Sequence, residues 1–489
     1  MNIKRNSVVW SLFLILALAL LAGCASSSGS NQNSALSADN INLIFVVSPD
    51  LVYQTTGDVN PDKANLSNQG LQRSLLMATY LKTHLLGTNN VTGIYALAPM
   101  THLQTTKNYP DMAAIGFIQQ FALLNQITVQ GTTANSFPIN AAYGELGGVP
   151  NGVVEPSPYI PGAQGLAFND AHGNNVVLVT RIINANVPGF YVFSAPWETI
   201  SALLAGIKAA KGYNLNLPAA YMGTNYVYVI SITPSGVARL VTCNSHLNPP
   251  ATYPVLPPLP IASASCTQQT YFSFTRTAGV NGVVIPPGTN TNETVYLIRH
   301  VEAHPTSSFE DGNFVAAGQW RALSLPNFLP IALRGQASPT VVYSIDPAQS
   351  FSPAADFSVS YVRPSLTVLP YAIANNLPYY LVAGFSIGGA MTDVGVAKAT
   401  SDFLFTSLAG GNLSNQTVLL AWEHEHYPPL ITYLIQSYGG SVPAPALFWP
   451  HNDYDTIWTV KLDAQGNLTV DNALCEGIDS AALPATAPQ

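Results

Sequence analysis

The stretch VYLIRHVEA, residues 295–303, places Arg299 and His300 at the end of an apolar run that is typical of a buried β-strand. Open α/β sheets bind ligands at the carboxyl ends of their strands, so a guanidinium and an imidazole here are well placed to act on a bound anion. An Arg-His pair after a strand also occurs as ordinary surface structure. Its interpretation therefore depends on the rest of the chain.

Length and composition narrow the possible classes of protein. With 489 residues the chain is longer than a usual single domain, so two domains are expected. Charged residues make up 9%, hydrophobic residues 48%, and the net charge is −8, a balance that argues against nucleic acid as a partner.

The amino terminus predicts export. Basic residues precede an apolar run over 8–21 that ends in LAGC at Cys24. This pattern resembles the lipobox of bacterial lipoprotein signal peptides, which implies cleavage of 1–23, lipidation of Cys24 and a flexible tether over 24–40. The expected location is the bacterial cell envelope, anchored by lipid at the outer membrane and either periplasmic or surface-exposed.

The remaining cysteines are Cys243, Cys266 and Cys475. They have neither CxxC spacing nor a histidine cluster, so a zinc site is not expected. An oxidising compartment permits a disulfide, and the favoured pair is Cys243 with Cys266, although sequence alone leaves the connectivity open.

The chain carries an internal repeat of six blocks in the same order. NLIFVVSPDLV at 42–52 parallels VYLIRHVEAHP at 295–305. FYVFSAPWETISALLAGI, from Phe190, parallels VLLAWEHEHYPPLITYLI, from Val418. The repeat predicts an internal duplication.

The proline-rich segment 247–290 contains PPATYPVLPPLP and PPGTNTN and reads as a linker between halves at 41–246 and 291–489. Within each half, strand-like runs alternate with helical patterns, such as those over 319–329 and 364–375. The predicted fold is therefore two tandem three-layer α/β/α domains with mostly parallel sheets.

The second half offers residues suited to a phosphate monoester. Arg299 and Arg363 can clamp its oxygens through charge-assisted bonds. His300 can attack phosphorus, and His424, which follows the strand TVLLAW, can donate to an oxygen whose charge grows in the transition state. These side chains supply the positive charge, so no metal or other cofactor is expected.

These motifs, in this order over about 290–475, resemble the histidine phosphatase superfamily, in its phosphoglycerate mutase-like branch. The resemblance implies that His300 is the phosphorylated nucleophile and that Arg299, Arg363 and His424 bind the phosphoryl group. Glu302 is placed in the substrate site, where it orients its neighbours. Val301 replaces the family's usual glycine and is expected to narrow the pocket.

The general acid stays open on sequence grounds. Glu425 follows His424 directly, as in the acid phosphatase branch, whereas Asp393 follows the third strand, where the phosphoglycerate mutase-like branch places its acid. Asp311 is a further candidate.

The first half lacks the corresponding groups. Val47-Ser48 stands where Arg299-His300 stands, Asp111 aligns with Arg363, and Pro196 aligns with His424. Such side chains cannot build an anion clamp, so the first half is predicted not to catalyse this chemistry.

The sequence thus predicts a membrane-anchored phosphatase that hydrolyses a phosphorylated small molecule or another phosphomonoester. The alternative is a non-catalytic envelope lipoprotein that binds a phosphorylated or other anionic ligand. Substrate identity is not encoded in any recognisable motif.

Overall fold

The structure is a computed structural model that describes residues 24–26, 36–51, 57–63, 65–99, 103–104, 109–125, 128–129, 139–140, 151–152, 174–259, 269–303, 312–347, 350–354, 357–382, 394–408 and 411–488. The predicted signal peptide over 1–23 lies outside these residues. In the described part of the chain, none of the helices combines the length and the apolarity that a membrane crossing requires.

The first half contains the helices α1 (Asn68–Tyr80), α2 (Ala113–Leu124), α3 (Asn174–Ala185) and α4 (Trp197–Lys211), and a π-helical segment, Leu81–Leu86, continues α1. Its strands are β1 (Cys24–Ser26), β2 (Ile41–Val47), β3 (Gly93–Ala96), β4 (Leu103–Gln104), β5 (Tyr109–Pro110), β6 (Thr128–Val129), β7 (Ile139–Asn140), β8 (Asn151–Gly152), β9 (Gly189–Ala195), β10 (Tyr226–Ile232) and β11 (Ala238–Asn244).

The second half contains the helices α5 (Ala316–Ala332), α6 (Arg363–Ala374), α7 (Val394–Phe405) and α8 (Tyr427–Ser437), with 3-10 turns at Val280–Gly282, Ala444–Leu447 and Ser480–Ala482. Its strands are β12 (Ser273–Arg276), β13 (Glu293–Arg299), β14 (Val341–Ile345), β15 (Ser350–Ala354), β16 (Phe357–Ser360), β17 (Tyr379–Val382), β18 (Thr417–Trp422), β19 (Thr456–Leu462) and β20 (Leu468–Cys475).

Each half is built on a seven-stranded sheet, and the two sheets have corresponding strand orders: β1-β11-β10-β2-β9-β3-β8 and β12-β20-β19-β13-β18-β14-β17. In each sheet the four strands on one side pair in parallel, and the pairings on the other side are antiparallel. The predicted α/β class is therefore confirmed at the level of a mixed α/β fold with two sheets.

The prediction of mostly parallel sheets is wrong for the antiparallel side. There β10 and β11, like β19 and β20, are joined by tight turns that contain Gly236 and Gly466, each with positive φ. A connection of a few residues can only join antiparallel neighbours. The sequence repeat includes these turns, since NYVYVISITPSG, which ends at Gly236, parallels YDTIWTVKLDAQG, which ends at Gly466, but it gives no signal for the polar strands β11 and β20 that follow them.

Helices cover both faces of each sheet. Ile44 and Val46 of β2 share one hydrophobic core with α1, α2, α5 and α6, and this same core includes Tyr296 and Ile298 of β13. The opposite faces pack on α3 and α4 in the first half and on α7 and α8 in the second. The two halves therefore meet through helices, with a Cβ at Gly116 only 3.0 Å from the Leu369 side chain.

Parts of the predicted tether and linker belong to the sheets. Cys24–Ser26, within the predicted tether, pairs with β11, and Ser273–Arg276, within the predicted linker, pairs with β20. Both are short edge strands that carry no apolar alternation, which is why the sequence did not reveal them. Cys243 and Cys475 each take part in a disulfide, and Cys266, the predicted partner of Cys243, lies outside the described residues.

A buried arginine occupies the first helix of each half. Arg73 contacts Asn225, which directly precedes β10, and Arg321 contacts Asp455, which directly precedes β19, at 3.5 Å. Arg321 also pairs with Glu476 at 2.8 Å. In both halves the arginine thus ties the first helix to the antiparallel side of its sheet.

Candidate active site

The nucleophile candidate lies where two parallel strands end together. Arg299 is the last residue of β13 and is the register partner of Trp422, the last residue of β18. The His300 N–H then donates to the Trp422 carbonyl at 3.0 Å. His424 lies two residues beyond β18, so the parallel pairing brings both histidines to one edge of the sheet.

The amino terminus of α6 closes the same edge. Arg363 is the first residue of this 12-residue helix. Thr367 Oγ1 accepts a hydrogen bond from the Val301 N–H at 3.1 Å and donates to the Arg363 carbonyl at 2.8 Å. The segment after β13 is therefore fixed against the amino terminus of α6. The amino terminus of a helix favours bound anions.

His300 has a defined tautomer. Its Nδ1 lies 2.8 Å from the Val301 carbonyl oxygen, which can only accept, so Nδ1 carries the hydrogen and Nε2 carries the lone pair. Burial lowers the pKa of His300 well below its usual range, and the charges of Arg299 and Arg363 lower it further. The side chain is thus a buried, neutral imidazole, which is the form that a nucleophile needs.

Two tyrosines hold the arginines beside His300. The Arg299 guanidinium lies 4.0 Å from the ring centre of Tyr454, and the Arg363 guanidinium lies 4.7 Å from that of Tyr361. The His300 ring lies 6.2 Å from Tyr454 and 6.3 Å from Tyr361. Each tyrosine therefore contacts one arginine by a cation–π interaction and packs near the histidine.

Within the described residues, hydrogen bonds hold Arg299 through the Nη1 side of its guanidinium. Its Nη1 donates to the backbone carbonyls of His451 and, at 3.3 Å, Asp453. Its Nε is buried and, within the described residues, has no hydrogen-bond partner. A buried N–H of a charged group is costly to leave unpaired, so this edge of the guanidinium is suited to an anion.

His424 faces a second histidine. Its Nε2 lies 2.7 Å from Nδ1 of His451, and both nitrogens lie 3.8 Å from the Glu425 carboxylate. Its Nδ1 is buried and has no partner among the described residues. Burial, followed by the charge of Arg299, lowers the pKa of His424 to about 2, so this imidazole too is neutral.

The four residues predicted to carry the chemistry are thus brought together. His300 and His424 each experience the charges of both Arg299 and Arg363. Sequence reasoning missed Tyr361, Tyr454 and His451 as members of this site. Tyr454 and His451 are about 150 positions from Arg299 and belong to no recognisable motif, so only a signal such as covariation could have found them.

Glu302 points into a buried ionic network. Its Oε1 accepts from Arg321 Nε at 2.8 Å and from Ser480 Oγ at 2.8 Å, and Arg321 also pairs with Glu476. These contacts favour the orienting role that was predicted for Glu302 over direct contact with a substrate. Arg321, which no site motif had marked, holds this network together.

Val301 does not narrow the site as expected. Its side chain is fully buried in the core that the two halves share. Its Cγ2 lies 2.8 Å from the position that a Cβ at Gly318 would take, so Gly318 makes room for it. The Val301 side chain therefore packs away from the anion site.

Of the general acid candidates, only Glu425 can be placed. It lies beside His424, and its side chain is 37% exposed, so it can exchange protons with solvent. Asp393, Asp311 and the side chain of the predicted lipidation site Cys24 lie outside the described residues.

The strand register of the first half changes the predicted alignment of the two halves after β9. The last residues of β2 and β9 are register partners, as are those of β13 and β18. His424 lies two residues beyond β18, and the residue two beyond β9 is Trp197. The prediction that Pro196 stands at the position of His424 is therefore wrong by one residue.

The start of α2 corrects a second detail. The helices α2 and α6 are capped at their carboxyl ends by Asn125 and Asn375, whose side-chain amides donate to the carbonyl four residues earlier at 2.7 and 2.9 Å. Counted back from these caps, Ala113 corresponds to Arg363, so the alignment of Asp111 with Arg363 is wrong by two residues. The first half still has no cation at this position.

No family model and no curated protein matches the chain. The chain is similar to a mycobacterial glucosyl-3-phosphoglycerate phosphatase, with 11% identity over 37% of this chain and 97% of that one, at a TM-score of 0.25. It is also similar to a phosphoserine phosphatase from Entamoeba histolytica (14% identity, 37% and 96% covered, TM-score 0.21) and to a putative phosphohistidine phosphatase from Nakamurella multipartitia (15%, 42% and 95%, TM-score 0.22).

Proposed function

We propose that the chain is a phosphomonoesterase that works through a phosphohistidine on His300. The observation that carries the proposal is the hydrogen bond from His300 Nδ1 to the Val301 carbonyl, at 2.8 Å, inside a ring of two arginines and a second histidine. This bond leaves the Nε2 lone pair of a neutral His300 beside Arg299, Arg363 and His424, whose charges and hydrogen-bond donors favour a phosphate dianion. A histidine with a purely structural role does not require two arginines and a second histidine around it.

In the first step, His300 Nε2 attacks phosphorus in line with the leaving oxygen. The N–P bond forms as the P–O bond breaks, while Arg299, through its unpaired Nε edge, and Arg363 bind the phosphoryl oxygens. His424 donates from Nδ1 to an oxygen whose charge grows. Because the pKa values of His300 and His424 are lowered, both imidazoles are neutral when the dianion binds. His300 therefore does not have to lose a proton before it attacks phosphorus.

A carboxylic acid must protonate the leaving oxygen, and we assign this role to Glu425. In the second step, water attacks phosphorus, its proton passes to the Glu425 carboxylate, and the N–P bond breaks to release phosphate and neutral His300. The second step thus returns to Glu425 the proton that it gave to the leaving oxygen, so the acid is ready for the next turnover.

The first half is proposed to be a non-catalytic copy that arose by internal duplication. The corresponding strand orders and the repeated pairing of a first-helix arginine with the residue before a strand support this origin. Val47, Ser48, Ala113 and Trp197 occupy the positions of the four phosphate-binding residues, and none of these carries a charge. Its helices α1 and α2 instead complete the core under the second sheet.

We also propose that the enzyme is attached to the bacterial envelope by lipid on Cys24. The proposal rests on the sequence pattern that ends in LAGC. Radiolabelled palmitate incorporated into wild-type protein, but not into Cys24→Ala, is the expected result. Equal labelling of both proteins contradicts the assignment.

The test of the catalytic proposal is hydrolysis of p-nitrophenyl phosphate by the full chain. His300→Ala is expected to abolish turnover, and His246→Asn, at an exposed histidine of the first half, serves as the control. Wild-type protein quenched during turnover should carry an acid-labile phosphate on His300. Turnover that persists in His300→Ala refutes the mechanism, and phosphate-competed binding without turnover favours the binding-protein alternative.

A further inference from the structure

Three side chains at the mouth of the site can together bind a metal ion, which the proposed phosphatase mechanism does not use. One ligand atom from each of His424, Glu425 and His451 can be chosen so that all lie within 4.8 Å of one another. The two ring nitrogens are 2.7 Å apart, and each is 3.8 Å from the same carboxylate oxygen. Two imidazoles and one carboxylate are a common ligand set for Zn²⁺ with one position open.

The distance between the two imidazole nitrogens is close to the distance between two nitrogen ligands of a bound zinc ion. At Zn–N distances of about 2.0–2.1 Å, two nitrogens of a tetrahedral site lie about 3.3 Å apart, so the imidazoles must separate by only about 0.6 Å. The His451 side chain is 69% exposed and can make this movement, whereas His424 is held by its burial. Glu425 is partly exposed and can turn toward the same point.

We infer that His424 Nε2, His451 Nδ1 and the Glu425 carboxylate form a binding site for a divalent transition-metal ion of the Zn²⁺ class, and that this ion and phosphate bind cooperatively. The ion replaces the hydrogen bond between the two imidazoles and holds Glu425 ionised, so the metal-bound protein lacks the proposed general acid and is not expected to turn over. Coordination at Nε2 leaves the hydrogen on Nδ1 of His424, which is the atom that is proposed to contact the phosphoryl group.

The cooperativity follows from charge. The ion lies on one side of the His424 ring, and the anion site, with Arg299 and Arg363, lies on the other. Without an anion the two arginines repel the ion, and a bound phosphate dianion offsets that repulsion. Because coupling is reciprocal, each ligand must raise the affinity for the other by the same factor. The cooperativity rests on the anion-binding part of the proposed function and not on turnover.

The test is a titration of the untagged full chain with Co²⁺, followed by its visible absorption, with and without inorganic phosphate. Wild-type protein is expected to show saturable binding of one ion per chain that phosphate tightens. His451→Asn keeps a donor toward His424 but removes a metal ligand. The affinity for Co²⁺ is expected to fall by about tenfold or more. His246→Asn, at an exposed position where φ is 53° and Asn is well tolerated, is the matched control.

Glu425→Gln is a second variant that should weaken binding without disturbing either imidazole. Unchanged Co²⁺ affinity in both His451→Asn and Glu425→Gln overturns the metal site, as does the absence of saturable binding to wild type. Binding that phosphate fails to strengthen overturns the cooperativity. Since none of these readouts needs turnover, a protein that binds Co²⁺ but is inactive without metal refutes the phosphatase mechanism and leaves the metal site standing.

Discussion

The direction of the hydrogen bond between His424 and His451 determines whether His424 can assist phosphoryl transfer. The nitrogens are 2.7 Å apart, and the pKa of His424 is lowered to about 2, so its ring carries a single hydrogen at working pH. If that hydrogen is on Nδ1, Nε2 must accept from His451. His451 is then a positioning residue that selects the useful tautomer of His424.

Two substitutions at His451 separate this role from simple packing. In His451→Asn the amide nitrogen takes the place of Nδ1 and still donates, so kcat/KM is expected to fall by less than about tenfold. In His451→Asp only acceptors are present, so the hydrogen moves to Nε2 of His424 and the Nδ1 donor is lost. Because one such donor is worth about 10² to 10³ in rate, the Asp variant should lose about that factor at pH 7.

The assay is steady-state hydrolysis of p-nitrophenyl phosphate as a function of pH, with ¹⁵N shifts of His424 to identify the tautomer. The Asp variant should regain activity as the pH falls, because protonation of His424 restores hydrogen to both nitrogens. The Asn variant should not. Equal activity of the Asn and Asp variants at pH 7, or unchanged ¹⁵N shifts, refutes the reasoning. The 69% exposure of His451 makes a folding defect an implausible cause.

Three further outcomes are expected. Because burial, Arg299 and Arg363 lower the pKa of His300, kcat/KM should stay on its plateau well below pH 6.5, and an acid limb near 6.5 contradicts a neutral, buried nucleophile. Burial raises the pKa of Glu293 from 4.5 to about 8, so its contribution to stability is fully present below pH 4.5 and is lost as the pH rises through 8; Glu293→Gln should abolish this pH-dependent loss, which is at most about 5 kcal/mol in the free energy of unfolding measured with urea across the range. Arg321→Met leaves Glu302 and Glu476 buried without their cation and should reduce the free energy of unfolding by about 3–5 kcal/mol, whereas Arg334→Met, on the surface, should change it by less than about 0.5 kcal/mol.

Much of the fold was predictable because its central elements have strong local signals. TVLLAW was predicted as a strand and is β18, Thr417–Trp422, and the helix predicted over 364–375 is α6, Arg363–Ala374. Apolar runs and a proline in the first turn are properties of the segment itself. The edge strands β1 and β12 were not predicted, because a short polar edge strand is defined by the neighbour it pairs with.

The sequence by itself determined which side chains could do the chemistry, since Arg299, His300, Arg363 and His424 each follow or begin a recognisable element. Only the tertiary structure decided their protonation and their partners. The Val301 carbonyl fixes the tautomer of His300, Tyr361 and Tyr454 support the arginines, and His451 contacts His424 from 27 positions away. Hydrogen-bond direction and burial depend on distances between atoms that are remote in the chain, and sequence spacing does not encode them.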